Sequence, residues 1–442
     1  MSFWNKIFPP RAEPELHPPS AAAMIDYQPQ PWTPDAREYV QSLQERKYRE
    51  LAKAHGLGED LAEVHRRLTP PQMPLGHITY EKFWAAFREA FPGTDEEFRA
   101  IFDNNMAAYK PYFEMVLPTP YEDPNHYSLL AMTFDSVAAA VMQKSRTVTI
   151  RAQALFATLP SGDVSAGIFE EPETDTPIIL FERALFTYLY GFSKICGWAL
   201  PPIELKEMSS DAYLAGLPRI YTMPFGSSVW FGGLLRAYII SGGVNDASAS
   251  MPNPEHNSHL TEQLLDFMKR FIMAHELSHI SLGHLERPAS NSDEAKQREF
   301  EADANAFAIV TQLSAKQTGS WATGAWACYM ALTALHFLDR GMALLSFGTT
   351  NVNWVSESHP DALLRRDRFR PLAYANAPKP RKITRNATGS LFNMSDSLLG
   401  RLWEMTLPLM FKSYQDGARP SPMWSQRIAR SMRLSAIPPV AN

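Results

Sequence analysis

The residues whose types and spacing could do chemistry lie close together, where His275, Glu276 and His279 form the pattern H-E-x-x-H. Apolar residues before the pattern recur at helical spacing, and Asn257 or Ser258 can cap the start of this helix. On a helix, His275 and His279 lie one turn apart, so both imidazoles can bind one Zn²⁺. Glu276 then stands beside the open position of the metal, where it can move a proton from zinc-bound water to a leaving amine.

A third metal ligand is predicted in a second helical stretch, 298–308, which is rich in alanine. The chain from His279 to Glu299 is long enough to end one helix, turn, and return alongside it. Glu299 can then complete a His₂Glu site that leaves the fourth position to water. Asp303, one turn further on, can accept a hydrogen bond from a ligand imidazole and fix its tautomer. Glu301 is the main alternative to Glu299, and Asp303 is the second.

The same residues also fit a structure without a metal. Two histidines on a helix can be solvated or packed in a core, and acidic residues on a helix usually face solvent. Against this, Ala302 and Ala306 indicate close packing around the acidic residues, and carboxylates in such a place need a cation. His284 and Glu286 follow Gly283, the predicted end of the first helix, and are lesser ligand candidates.

The two motifs H-E-x-S-H and E-x-x-A-D together resemble the zincin metallopeptidases whose third ligand is glutamate, in particular the CAAX prenyl protease and HtpX group. They are also similar locally to the ImmA/IrrE regulatory proteases and the Lit phage-exclusion protease. In the first group the glutamate of E-x-x-A-D binds zinc, which implies this role for Glu299. The segment 358–360 with Arg365 is similar to a further H-P segment of that group. This similarity implies that His359 stabilises the oxyanion, with Arg365 supporting the substrate or the structure.

The resemblance covers about residues 265 to 370, and the chain departs from these families in two ways. Prenyl protease and HtpX relatives are integral membrane proteins, whereas the most apolar stretch here, 321–338, is interrupted by polar residues. We predict that this stretch is a buried core helix, with a membrane span as the alternative. The metzincin pattern also fails, because Leu282 and Leu285 occupy the places of its glycine and third histidine. The resemblance implies one zinc ion per chain, but the membrane substrates of those relatives cannot be carried over to this chain.

The elements that must position these residues are predicted from hydrophobic periodicity. Amphipathic patterns predict helices between about 35 and 120, and β-like runs at 147–150 and 177–181 predict a small sheet packed by helices. The predicted fold is α+β and predominantly helical, with a zincin-like metallopeptidase core, a small sheet and added helices. Composition divides the chain into a proline-rich N-terminal arm (1–35), a helical region (36–125), a zincin-like peptidase domain (126–375) and a proline-containing C-terminal segment (376–442).

Charge and cysteine content limit the partners and the compartment. The formal net charge is -5, so the field of the protein repels a phosphate backbone and nucleic acid is not expected as a partner. Cys196 and Cys328 lie in apolar segments, which predicts buried free thiols rather than a disulfide framework. The start of the sequence lacks the pattern of a secretory signal. We therefore expect a cytoplasmic protein without a membrane span.

Together these features predict a soluble zinc-dependent endopeptidase that acts on a protein or peptide substrate. The resemblance implies that the substrate lies along an edge strand upstream of the metal helix. By analogy with the similar proteases, we expect a narrow target and an activity that is latent until a partner or signal opens the cleft, as in stress response or phage defence. The alternative is a zincin-fold regulatory or protein-binding module without catalysis.

Overall fold

A computed structural model of the chain describes residues 32–54, 115–144, 154–159, 164–200, 211–215, 225–241 and 257–434, apart from a few positions inside these ranges, and several isolated positions elsewhere. Most of the predicted N-terminal arm, most of the predicted helices between 59 and 114, the predicted strand at 147–150, and Ser358 lie outside the described residues.

Most of the described residues are helical. In chain order the helices are α1 (Pro34–Ala54), α2 (Pro124–Lys144), α3 (Arg183–Ala199), α4 (Asp211–Ala215), α5 (Phe225–Ser241), α6 (Ser258–Ser281), α7 (Ser292–Thr318), α8 (Trp321–Phe347), α9 (Ala362–Asp367), α10 (Phe369–Asn376) and α11 (Arg381–Gln415). The strands are β1 (Leu155–Leu159), β2 (Ala166–Glu170), β3 (Pro177–Glu182), β4 (Val352–Trp354) and β5 (Met432–Leu434). The predicted α+β, predominantly helical class is confirmed.

The main sheet is small and touches α6 through one of its edges. Its strand order is β1-β3-β2, with β1 parallel and β2 antiparallel to the central β3. The strand predicted at 177–181 is confirmed as β3, and all of its residues are buried, as expected for a central strand covered on both faces. β2 is an edge of this sheet and contacts α6, whereas α1 packs against β1 and β3. A second sheet pairs β4 with β5.

The hydrophobic core is built around α6 and α8. α6 packs against α2, α3, α7 and α8, and α8 packs also against α11. α8 is buried along most of its length, so the apolar stretch 321–338 is a core helix, as predicted. Within the part of the chain that the structure describes, no helix combines the length and the hydropathy needed to cross a membrane. Cys196 and Cys328 are buried free thiols, also as predicted.

The starts of α6 and α7 differ in how they are held. α6 begins after Asn257, as predicted, but without the predicted cap from this side chain. The amide of Asn257 donates instead to the carbonyl oxygens of Gly197 and Leu200, at 2.9 and 3.1 Å, which ties α6 to the end of α3. At the start of α7, the side chain of Asn291 accepts a hydrogen bond from the N–H of Glu294 in the usual way.

Helices α7 and α8 approach each other closely at Gly324. A Cβ added at this position would lie 2.6 Å from the Cβ of Ser314, 2.9 Å from the carbonyl oxygen of Val310 and 3.0 Å from the Cα of Thr311. None of these atoms can move away by a side-chain rotation. The glycine therefore sets the distance between α7, which carries Glu299, and the core helix α8.

We expect Gly324→Ala to lower the free energy of unfolding by about 1–3 kcal/mol, because the added methyl group overlaps with atoms fixed to the backbone of α7. Gly400→Ala in α11 is the matched control, since a Cβ there meets nothing within 4 Å. Alanine in a helix interior is favoured over glycine by about 0.5–1 kcal/mol. Urea unfolding followed by circular dichroism should shift the two midpoints in opposite directions, and equal midpoints would contradict the close packing.

Candidate metal centre

The two histidines of H-E-x-x-H lie on one face of α6 and meet a carboxylate of α7. The Nε2 atoms of His275 and His279 are 3.2 Å apart. Glu299 lies opposite them, with Oε2 3.4 Å from Nε2 of His275 and Oε1 3.4 Å from Nε2 of His279. Among the described residues, these three side chains form a group that could hold a metal ion.

The spacing and chemistry of these atoms fit a tetrahedral zinc ion. Ligands held about 2.0–2.1 Å from zinc at tetrahedral angles are separated by about 3.3–3.4 Å. The distance of 3.2 Å between the two Nε2 atoms is close to this separation. The two carboxylate oxygens of Glu299 each lie 3.4 Å from a different Nε2 atom. Glu299 is buried, and its Oε2 makes no hydrogen bond within the part of the chain that the structure describes. Such an oxygen favours a cation nearby, and Nη1 of Arg365 lies 3.5 Å from it, beyond the distance of a good hydrogen bond. Two imidazoles and one glutamate are also a ligand set that catalytic zinc sites use.

Asp303 and Arg365 fix the orientation of His275. Oδ1 of Asp303 lies 3.0 Å from Nδ1 of His275, so Nδ1–H donates to the carboxylate and Nε2 faces Glu299. Arg365 of α9 binds the same carboxylate through two hydrogen bonds, from Nε to Oδ2 at 2.8 Å and from Nη2 to Oδ1 at 2.7 Å. This bidentate geometry orients a carboxylate firmly. The orientation of His275 therefore depends on a residue far away in the sequence.

Burial and charge shift the pKa values of the proposed ligands. Burial and Arg365 lower the pKa of His275, but its contacts with Asp303 and Glu299 outweigh them and raise it to about 10. Burial and the neighbouring His275 lower the pKa of His279 to about 3. Burial raises the pKa of Glu299, but His275 and Arg365 outweigh burial and hold it well below its usual range. Glu299 is therefore charged, and the site carries an anionic ligand.

Glu276 and His359 lie beside the three ligand atoms. Glu276 follows His275 on α6, and burial raises its pKa to about 7 against the opposing effect of His275. A carboxyl group with such a pKa can hold or release a proton near neutral pH. Nε2 of His359 is 3.6 Å from Oε1 of Glu299, and 59% of the His359 side chain is exposed. Both side chains can therefore meet a ligand that enters the site.

The remaining candidates from the sequence do not converge on the ligand atoms. Glu301, the main alternative to Glu299, lies with Oε2 3.4 Å from Nε2 of His284. His284 in turn contacts His279, with 2.9 Å between their Nδ1 atoms. Glu286 is exposed. The pairing of His284 with His279 is not predicted from the sequence, although the glycine before His284 is a usable signal of where the chain turns.

A cluster of charged and aromatic residues fastens α9 and α10 to the core. Arg366 and Arg370 both reach Asp396 of α11, at 3.5 and 2.5 Å. Both guanidinium groups also lie over the ring of Tyr329 in α8, whose hydroxyl donates to Asp396 at 2.5 Å. Because Arg366 and Arg370 closely follow Arg365 in the chain, the cluster holds Arg365 in the position from which it binds Asp303.

Comparison with known proteins indicates a peptidase. Residues 244–375 match the model of the family described as Peptidase U49. The matched region contains α6, α7, α8 and α9, and with them the three proposed ligands, Asp303, His359 and Arg365. No curated protein and no solved structure matches the chain. Proteolytic function thus agrees with the expectation from the sequence.

The ion pair between Arg365 and Asp303 can be tested by its effect on stability in chelator-treated protein. Arg365→Leu leaves a buried carboxylate without its bidentate partner, so we expect a loss of about 3–5 kcal/mol in the free energy of unfolding. The double variant Arg365→Leu/Asp303→Leu should be more stable than Arg365→Leu, since no uncompensated charge is left at this pair.

The control is Lys412→Leu, which removes one partner of an exposed ion pair with Asp416 and should cost at most about 1 kcal/mol. Denaturant unfolding of all variants gives the comparison. If Arg365→Leu unfolds at the same denaturant concentration as Lys412→Leu, the pair does not stabilise the site.

Proposed function

We propose that the protein is a zinc-dependent endopeptidase with one zinc ion per chain, bound by His275, His279 and Glu299. The observation that carries the proposal is the convergence of these three ligand atoms inside the region that matches a peptidase family. A zinc ion bound there would act as a Lewis acid on the carbonyl of the scissile bond and would lower the pKa of a water molecule. The reaction is the hydrolysis of a peptide bond.

Glu276 is the residue that moves the proton in this proposal. It follows a ligand histidine on α6, and its carboxyl group interacts electrostatically with His275 and Glu299. As general base it takes a proton from the attacking water, and as general acid it gives a proton to the leaving amine. It orients the water by accepting its hydrogen bond and does not bind the metal itself.

Three further residues support the reaction without binding the metal. Asp303 holds His275 with Nδ1–H toward the carboxylate, which leaves Nε2 for the metal. Arg365 holds Asp303 through its two hydrogen bonds. His359, at the exposed side of the site, donates a hydrogen bond to the oxygen that becomes negative when the carbonyl is attacked.

The proposed substrate is an extended segment of a protein that lies along β2. This strand is an edge of the main sheet and contacts α6, the helix that carries both histidines. The open side of an edge strand can pair its backbone N–H and C=O groups with an extended peptide. A narrow target, a cytoplasmic location, and latency until activation in stress or phage defence belong to the same proposal and rest on analogy with the similar proteases.

The test of metal binding is the zinc content of protein purified without chelator. We expect about one equivalent of zinc by elemental mass spectrometry, and a strong reduction in His275→Ala, His279→Ala and Glu299→Ala. Loss of a direct ligand should weaken zinc binding by more than the roughly 10–100-fold that is typical when a residue hydrogen-bonded to a ligand is mutated. The control is His259→Ala, which changes an exposed histidine on the same helix. Full zinc content in Glu299→Ala would shift the third ligand to Glu301 or Asp303.

The test of catalysis is Glu276→Gln, which keeps the size of the side chain but removes its basic carboxylate. This variant should keep its zinc, while peptide cleavage falls by about 10²–10⁴-fold. New N-termini in a lysate, measured by peptide mass spectrometry, should appear with the wild type and disappear with the variant or with a chelator. Identical profiles for wild type and variant, under conditions in which the wild type is active in cells, would support the non-catalytic regulatory module.

A further inference from the structure

His284 lies beside the proposed metal site because of the way in which α6 ends. Gly283 has a positive φ of 71° just beyond the end of the helix at Ser281. The N–H of His284 donates to the carbonyl oxygen of His279 at 2.9 Å, and the N–H of Gly283 donates to that of Ile280 at 3.0 Å. This pair of hydrogen bonds is the Schellman motif, which brings the second residue after the C-cap residue (here Leu282) against the third residue from the end of the helix. Here these two residues are both histidines.

The side chains of the two histidines continue this contact. Their Nδ1 atoms are 2.9 Å apart, with the rings inclined at 68°. The Nδ1 atom of His279 is the ring nitrogen that does not face Glu299, since its Nε2 atom is the one 3.4 Å from that carboxylate. On the other side, Nε2 of His284 lies 3.4 Å from Oε2 of Glu301. Glu301, His284 and His279 therefore form a line of polar contacts that ends at a proposed ligand atom.

One arrangement of hydrogens satisfies every contact in this line when both imidazoles are neutral. A carboxylate only accepts hydrogen bonds, so His284 donates to Glu301 from Nε2 and has a lone pair on Nδ1. His279 then donates from Nδ1, which leaves its own lone pair on Nε2, toward Glu299. This is the tautomer that His279 needs in order to bind a metal through Nε2.

We propose that His284, held by Glu301, is a positioning residue that keeps His279 in the tautomer required for metal binding. The inference rests on the proposed metal site and extends it, because His284 does for His279 what Asp303 does for His275. The neutral imidazole of His284 thus accepts the hydrogen bond from Nδ1–H of His279. In most metal sites a carboxylate or a carbonyl group accepts the corresponding hydrogen bond from the ligand histidine.

We call the line of contacts from Glu301 through His284 to His279 the relay. Residues of α7 hold both His284 and Glu301 in place. Arg298 donates from Nη1 to the carbonyl oxygen of His284 at 2.9 Å. Gln297 donates from Nε2 to Oε1 of Glu301 at 3.0 Å, so the other carboxylate oxygen of Glu301 faces His284. The relay therefore joins the end of α6 to the first turns of the helix that carries Glu299.

The first experiment measures the tautomer of His279 directly, in chelator-treated protein labelled with ¹⁵N at histidine. Long-range ¹H–¹⁵N correlation distinguishes the two neutral tautomers, and loss of signals in His279→Gln identifies those of His279. We expect the Nδ1–H tautomer in the wild type and in His284→Asn, whose side-chain oxygen can accept in place of Nδ1. His284→Leu, which cannot accept, should lose this single tautomer. The Nε2–H tautomer in the wild type would overturn the proposal.

The second experiment measures zinc affinity by competition with a chromophoric chelator. His284→Leu and Glu301→Ala should bind zinc roughly 10–100-fold more weakly than the wild type, whereas His284→Asn should recover most of the affinity. His259→Leu, at an exposed position of α6, is the control and should bind as the wild type does. Wild-type affinity in both His284→Leu and Glu301→Ala would overturn the proposal.

These two measurements separate the relay from the metal site on which it rests. If the wild type binds no zinc, the proposed function fails, while the tautomer of His279 still decides whether the relay exists. Circular dichroism checks that each variant is folded. If His284→Leu does not fold, the zinc affinities of Glu301→Ala and His284→Asn are compared instead. Weaker binding by Glu301→Ala, together with near wild-type binding by His284→Asn, supports the relay. Equal zinc affinity of the two variants opposes it.

Discussion

The buried carboxylate of Glu299 is the constraint on which the rest of the site depends. It lies between α6 and α7 together with the buried Asp303, and within the described part of the chain Arg365 and His275 each contact both carboxylates. Arg365 gives its two short hydrogen bonds to Asp303, and its contact with Glu299 is longer, at 3.5 Å. One guanidinium and one imidazole therefore face two carboxylates in a place where charge is costly to bury. A divalent cation between Glu299 and the histidines would take the place of the proton on Nε2 of His275.

The surrounding helices hold this arrangement in place by packing and by charge. The close approach of α7 to α8 at Gly324 fixes the helix that carries Glu299. The cluster around Asp396 fixes α9, which carries Arg365, against α8 and α11. α11 lies beyond the region that matches the peptidase family. A helix outside the matched region thus helps to hold Arg365 beside Asp303.

Local spacing was enough to predict the parts of the site that depend on helical periodicity. The positions of His275 and His279 on one face follow from four-residue spacing, and the return of a second helix follows from a turn of sufficient length. The bidentate contact of Arg365 with Asp303 could not be predicted in this way. It depends on how α9 packs against α8, which brings Arg365 to Asp303 of α7 and is a property of tertiary packing.

Gly283 follows the end of the first helix, as predicted, but the side-chain cap predicted at the start of this helix is not formed by Asn257. Asn257 has the side chain of a typical cap, but tertiary hydrogen bonds to the end of α3 use its amide instead. His284 was considered only as a ligand, because its spacing from His279 does not match a helical face. A left-handed glycine changes the direction of the chain and makes such spacing uninformative.

The Schellman end of α6 also makes the last turn of this helix and the proposed metal site a single cooperative unit. His284 is bound to His279 twice, once through the backbone and once through the ring. Fraying of the last turn would break both contacts together. The contact between the two imidazole rings therefore opposes the local unfolding that is usual at a helix end. The amide hydrogen of His284 consequently reports on the site: its exchange with solvent should slow when His279 is held by a metal.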